Sequence, residues 1–231
     1  LAWMFGADPV FKETFERSVK NTAIETENIV NLAKGIGKIK PETAAKILSR
    51  DSTGRFIRSS LDTLKGVLSP EEFADVQTFY NKLDNLGQEA VDLGLLSKEK
   101  FEENVGEYIK NAYLHYEEMA KKGLFGIKKI GIKGIKKRVE GLTPEQMAKL
   151  GQIDNPAYLL FKSTFDLQKD VENAKLLQTT SKLFGSDVAQ EGFTKIATSQ
   201  KWGQLAGKYV PDNVAQYLNE IIEPAKDTLA K

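Results

Sequence analysis

Cysteine is absent from the 231 residues, and histidine occurs once, as His115. Without thiols, disulfide frameworks, thiolate nucleophiles, iron–sulfur clusters and cysteine-bound zinc are excluded together. A single imidazole supplies neither a two-histidine metal site nor a triad with a spare base, so such chemistry would have to run on carboxylates or lysines alone. Long apolar runs are missing too. None approaches the roughly 18 residues that a membrane-spanning helix needs, and residues 1–6 are too few for the core of a signal peptide. Nor is one sign of charge in excess: 33 Lys and Arg face 32 Asp and Glu. That balance argues against a globally basic nucleic-acid binder and leaves room only for a local patch. Period-two alternation is confined to a few residues around 208–210, and no fixed-period repeat is visible.

What remains is helical periodicity. Phe101, Val105, Tyr108, Ala112, Tyr116 and Met119 follow steps of three and four, with Ser97 placed as N-cap and Lys121, Lys122 and Gly123 as the terminating signal. Val76, Phe79, Leu83, Leu86, Ala90 and Leu93 form a second stripe, opened by Ser69, Pro70 and Glu72 in the pattern of a capping box with proline at the first helical position. Thr143, Pro144, Glu145 and Gln146 repeat that opening. After Asn155 and Pro156, the apolar positions Ala157, Leu160, Leu167, Val171, Ala174 and Leu177 predict one long helix of about 28 residues ending near Phe184 and Gly185. Shorter helices are expected near 8–33, 41–49, 55–68, 188–197 and 212–222, with irregular connections over 35–40 and 202–211. The expected fold is all-α: an irregular multi-helix bundle of long amphipathic helices with little or no β-structure.

Residues 121–138, KKGLFGIKKIGIKGIKKR, hold eight basic residues, four glycines and no acidic group. Each glycine costs a helix interior about 1 kcal/mol relative to alanine, so this stretch reads as a connector. It divides the chain into an N-terminal helical region (1–122), a basic Gly-rich connector (123–142) and a C-terminal helical region (143–231). The connector supports three readings: a solvated linker, a phosphate-gripping nucleic-acid contact, or an interfacial membrane contact through Phe125 and the interleaved isoleucines. The residues concerned are Lys128, Lys129, Lys133, Lys136, Lys137 and Arg138.

Other constellations do not assemble a site. Glu102 with Glu103 and Glu117 with Glu118 are adjacent on helices, point about 100° apart, and do not converge on one atom. His115, between Leu114 and Tyr116, suits packing or surface hydrogen bonding better than catalysis. Gly35, Gly37 and Lys38 lack the first glycine, the Ser or Thr and the preceding strand of a phosphate-binding loop. Tyr108, Tyr113, Tyr116, Phe161 and Phe165 keep helical spacing and suit a core, and Trp202, Tyr209 and Tyr217 suit anchors pinning the last segment to the long helix. No catalytic, cofactor-binding or metal-ligating residue is assigned.

Three stretches in order carry a resemblance: GLLSKEKFEENVGEYIKNAYLHYE from Gly94, GLTPEQMAKLGQIDNPAYLLFKSTFDLQKDVENAKLL from Gly141, and WGQLAGKYVPDNVAQYL from Trp202. Their succession, over about 93–222, resembles a region of the very large polyvalent and internal virion proteins of tailed phages, which are packaged in the capsid and implicated in genome ejection. The resemblance implies a non-catalytic structural segment, with other virion proteins (portal, tail or capsid) and further copies of itself as partners. DNA contact comes second to these, and membrane contact third. It also implies a place in the virion, with delivery toward the host cell envelope. Some such proteins carry a transglycosylase or polymerase domain elsewhere, but the Glu–Ser pair that opens the lysozyme-like transglycosylase pattern is missing here. The alternatives are a nucleic-acid-binding helical module that uses the connector, and a scaffold domain of a larger phage enzyme. The opening at Leu1 reads as mid-sequence, so a processed or excised piece of a longer chain is expected.

Overall fold

The computed structural model describes residues 6–52, 54–103 and 151–222. The connector, the Thr143 start and most of the stripe that begins at Phe101 lie outside these. In chain order the elements are α1 (Pro9–Gly37), α2 (Pro41–Ala44), β1 (Leu48–Arg50), β2 (Phe56–Arg58), α3 (Leu61–Lys65), α4 (Pro70–Asp92), α5 (Lys98–Glu103), α6 (Pro156–Phe184), β3 (Phe193–Lys195), a 3-10 segment (Gln200–Leu205), β4 (Tyr209–Pro211) and α7 (Asp212–Ile222). The fold is predominantly helical, with two small antiparallel sheets, β1–β2 and β3–β4.

Helices α1 and α6 start the same way. Proline occupies the first turn of each, and an acidic or amide side chain caps it: Asp8 Oδ1 accepts from Val10 N at 2.9 Å and Phe11 N at 3.1 Å, and Asn155 Oδ1 accepts from Tyr158 N at 3.0 Å. Each runs for 29 residues, about 43 Å. They pack antiparallel, because Phe11 at the start of α1 meets Phe184 at the end of α6 edge to face, with centroids 6.3 Å apart. At the other end Ile36 shares a core with Leu159 and Leu160.

Two apolar cores are strung along α6. The first joins Ile29 and Ile36 of α1, Val76, Phe79, Leu83 and Leu86 of α4, and Leu159, Leu160, Leu167 and Val171 of α6. Ile47, Leu48, Phe56 and Leu64 close its far end. The second gathers Phe11, Ala174, Leu177, Trp202, Leu205, Val210, Val214 and Leu218. Both cores therefore draw on residues from either side of the connector.

The Ser69 capping box forms as the pattern requires. Ser69 Oγ accepts from Glu72 N at 3.3 Å, while Glu72 Oε2 accepts from Ser69 N at 2.8 Å. That backbone donor, then the Ser69 hydroxyl, holds the Glu72 carboxyl below its ordinary value.

Four expected elements differ. Helix α1 runs on through Gly35 and Gly37, because Ile36 and Ile39 are buried and burying an isoleucine contributes about 2–3 kcal/mol, more than a glycine costs. Gly35 also lets α4 approach: a Cβ there would stand 2.5 Å from Asp75 Oδ2. The helices expected over 41–49 and 55–68 form only as the short α2 and α3, and between these a hairpin pairs Leu48 with Arg58 and Arg50 with Phe56. Its turn is set by Asp51, whose carboxylate accepts from Arg55 N at 2.9 Å, and by Gly54 at φ 79°. Over 188–197 a local turn replaces the helix. Val188 N donates to Ser186 Oγ, Gly192 adopts φ 75°, and β3 then pairs with β4.

Two outcomes follow for stability. Ser69→Ala removes one cap acceptor and should cost about 1 kcal/mol, or 2–4 °C in Tm. Phe79→Ala in the first core and Trp202→Ala in the second should each cost about 3–5 kcal/mol. Because α6 passes through both cores, both variants should shift one shared denaturation transition followed by circular dichroism, and two resolved transitions would contradict that coupling.

Candidate functional site

Among the described residues, the polar and charged residues buried as whole residues all lie on α6: Ser163, Thr164, Gln168, Glu172, Thr180 and Ser181. A helix enclosed on most sides has to satisfy these groups internally. The hydroxyls are largely met by carbonyls. Ser163 donates to Leu159 O at 2.7 Å, Thr180 to Leu176 O at 2.8 Å, and Ser181 to Gln204 O at 3.1 Å.

Gln168, Glu172 and Lys175 fall on one face of α6, spaced four and three residues apart. They sit between the two apolar cores, opposite the midpoint of α1 and the middle of α4. There they line a cleft of 360 Å³ with Asn21, Ile24 and Glu25 of α1 and Lys82 and Glu89 of α4. Gln168 Nε2 donates to Glu172 Oε1 at 3.1 Å. Lys175 Nζ reaches the same oxygen at 3.0 Å and Glu89 Oε1 at 2.6 Å, and Lys82 pairs with Glu25. Three carboxylates thus face two ammonium groups, leaving one surplus negative charge.

The Glu172 side chain is only 7% exposed, and Lys175 is the cation paired with it. Burial pulls the Lys175 ammonium toward losing its proton, but the hydrogen bonds and charges of Glu89 and Glu172 outweigh it and raise the group above the ordinary 10.5. Lys175 therefore stays protonated at neutral pH and is not poised as an amine nucleophile or base. Gln168 Oε1 and the nearby Thr164 Oγ1 are buried with no hydrogen-bond partner.

A second cleft of 710 Å³ separates the end of α4 from the 3-10 segment, with Val91, Leu93, Gly94 and Leu95 facing Thr198, Ser199, Gly203 and Gln204. Gly203 has φ 48° and ψ −125°, and Gly94 has φ 72°, conformations that favour glycine. Asp92 is the one charged residue lining it, and its carboxylate accepts from Gln88 Nε2 at 2.9 Å. No acid–base pair is assembled there.

Most of the residues singled out in the sequence lie outside the described ones. Lys128, Lys129, Lys133, Lys136, Lys137 and Arg138 lie outside the described residues, as do His115, Glu117, Glu118, Tyr108, Tyr113 and Tyr116. Glu102 is exposed and pairs with Lys98 at 3.6 Å. Gly35 and Gly37 sit at the C-terminal end of α1 and Lys38 is its C-cap, where the helix dipole is negative and would repel a phosphate. Phe161 and Phe165 stack with centroids 5.5 Å apart, and Phe161 packs on the first core. Trp202 and Tyr217 are buried in the second core. The polar cleft was not picked out in the sequence. Its signal was the run Thr164, Gln168, Glu172 and Lys175, which on α6 alone reads as a solvated face.

Among the described residues, no group of three or more His, Cys, Asp and Glu is placed to hold a metal ion, and no helix is long and apolar enough to cross a membrane. Comparison of the chain with protein-family models, curated proteins and solved structures yields no match.

Lys175→Met should leave Glu172 without its ammonium and lower stability at pH 7 by about 1–3 kcal/mol, between the surface-pair and buried-pair ranges because Lys175 is partly exposed. Adding Glu172→Gln should recover part of the loss. Since the folded value of Lys175 is raised, its contribution is whole below about pH 10.5 and is lost as pH rises through the folded value. The gap between wild type and Lys175→Met in urea midpoint should therefore shrink as the pH is raised above 10.5 and through the folded value.

Proposed function

We propose that this chain is a non-catalytic structural segment of a tailed-phage virion protein, of the internal or ejection-associated kind, built as an irregular multi-helix bundle with little β-structure. The reading rests on the ordered succession of the three stretches beginning at Gly94, Gly141 and Trp202. The observation in the fold that favours it over a catalytic role is the commitment of the cleft's charges to one another: Lys175 to Glu89 and Glu172, and Lys82 to Glu25. A catalytic pair needs one group held with its proton out of balance at working pH. Here Lys175 is instead locked in its charged form.

In this role, helices long enough to span the bundle present side chains for lateral packing against portal, tail or capsid proteins or against further copies. The particle is the place of action, with passage toward the host envelope. The scaffold of a larger phage enzyme and a DNA-binding module acting through residues 128–138 are the other readings, and no observation on the described residues favours either.

Purified particles of a phage encoding this chain, digested and analysed by mass spectrometry, should yield peptides from residues 156–184 in stoichiometric amounts. Peptides present in the infected-cell lysate and absent from the particles would refute the assignment.

A further inference from the structure

We propose that the middle of α1, residues 16–28, is an acid-operated release point: it unwinds locally when the carboxylates facing it are protonated, while both ends of the helix stay docked. This device is separate from the virion assignment and does not depend on it.

The stretch has no apolar anchor. Phe11 is buried in the second core, and Ile29 and Ile36 in the first, but from Glu16 to Asn28 no residue is buried. Its two large apolar side chains, Val19 and Ile24, are each 48% exposed, and its half-buried positions are Ser18, Thr22, Glu25 and Thr26. Its own preference for the helix is also weak, because Ser, Thr, Val, Ile and Asn hold a helix less well than Ala or Leu. The Thr22 and Thr26 hydroxyls donate back to Ser18 O and Thr22 O rather than across to a neighbour, which slightly loosens the helix. A helix of such residues persists through its tertiary contacts.

The tie that remains is ionic. Glu25 pairs with Lys82 of α4, their side chains being 30% and 26% exposed. The charged groups around this pair are Glu89 of α4 and Glu172 and Lys175 of α6. With the three carboxylates ionised the layer carries one surplus negative charge; with all three protonated, Lys82 and Lys175 leave it two positive charges. Glu25 then has no charge to set against Lys82, and the two ammonium groups repel each other. Apolar burial, which does not titrate, still holds Phe11, Ile29 and Ile36. The loss therefore falls on the middle of the helix as a local opening, distinct from global unfolding.

The test is hydrogen–deuterium exchange of the full chain, read by mass spectrometry from pH 7 to pH 3, with labelling times scaled to the intrinsic exchange rate at each pH. Protection over residues 16–28 should fall about fivefold or more before protection over 29–37 of α1, 76–90 of α4 and 159–177 of α6 changes. Glu25→Gln should reproduce part of that loss at pH 7. Glu25→Gln combined with Lys82→Met should remove most of the pH response. Loss shared equally by the ends of α1, or no loss down to pH 3, would overturn the proposal, and both are read on the wild-type chain. An undiminished pH response in the double variant would overturn it as well.

Discussion

A helix enclosed by protein on most sides cannot turn its polar groups to water, and α6 is such a helix. Its apolar positions feed two separate cores, while its Gln168, Glu172 and Lys175 fall between them. Everything else in the arrangement answers to that constraint. Glu89 of α4 neutralises Lys175, Glu25 of α1 and Lys82 of α4 neutralise each other across the cleft, and the α6 hydroxyls turn back on carbonyls. Hydrophobic burial supplies the larger driving force, but it is non-directional. The charged layer supplies direction. If α1 slipped by one turn, about 5.4 Å, the isoleucine stripe would nearly match again, whereas Glu25 would part from Lys82.

The hairpin end of the molecule solves a smaller version of the same problem. Arg58, whose side chain is 7% exposed, is held over the Tyr80 ring at 4.9 Å and donates to Tyr80 O and to Asp84 Oδ1. The Tyr80 hydroxyl donates to Ile47 O at 2.6 Å. Burial pushes that phenol well above its ordinary value, with Arg58 pulling the other way. Two short strands that would not persist alone are fixed to α4 through these contacts. Arg50, lying over Phe56, extends the fastening to Gln152.

Much of this was legible. Ser69, Pro70 and Glu72 announce α4, Asn155 and Pro156 announce α6, and residues 212–222 form a helix as their pattern predicts, since caps and periodicity are local properties. The strand residues Tyr209 and Val210 also carried their signal. The two hairpins were harder to read because three-residue strands give alternation too little length to register, although Asp51 and Gly54 marked a turn. Extension of α1 past Gly35 depended on Ile36 finding a core built partly from α6, which no local rule contains. The cleft was hidden for the same reason: its members come from three helices, and each looks solvated when read alone.

The antiparallel pairing of α1 with α6 joins segments more than a hundred residues apart, although a helical chain invites the expectation of mostly local contacts. On the ribosome, at about 5–20 residues per second, α1 therefore waits roughly 7–30 s for its counterpart to be translated. Throughout that interval Phe11 lacks Phe184, and Ile29 and Ile36 have only the α4 and hairpin side of their core, so apolar surface stays uncovered until translation delivers the second rod.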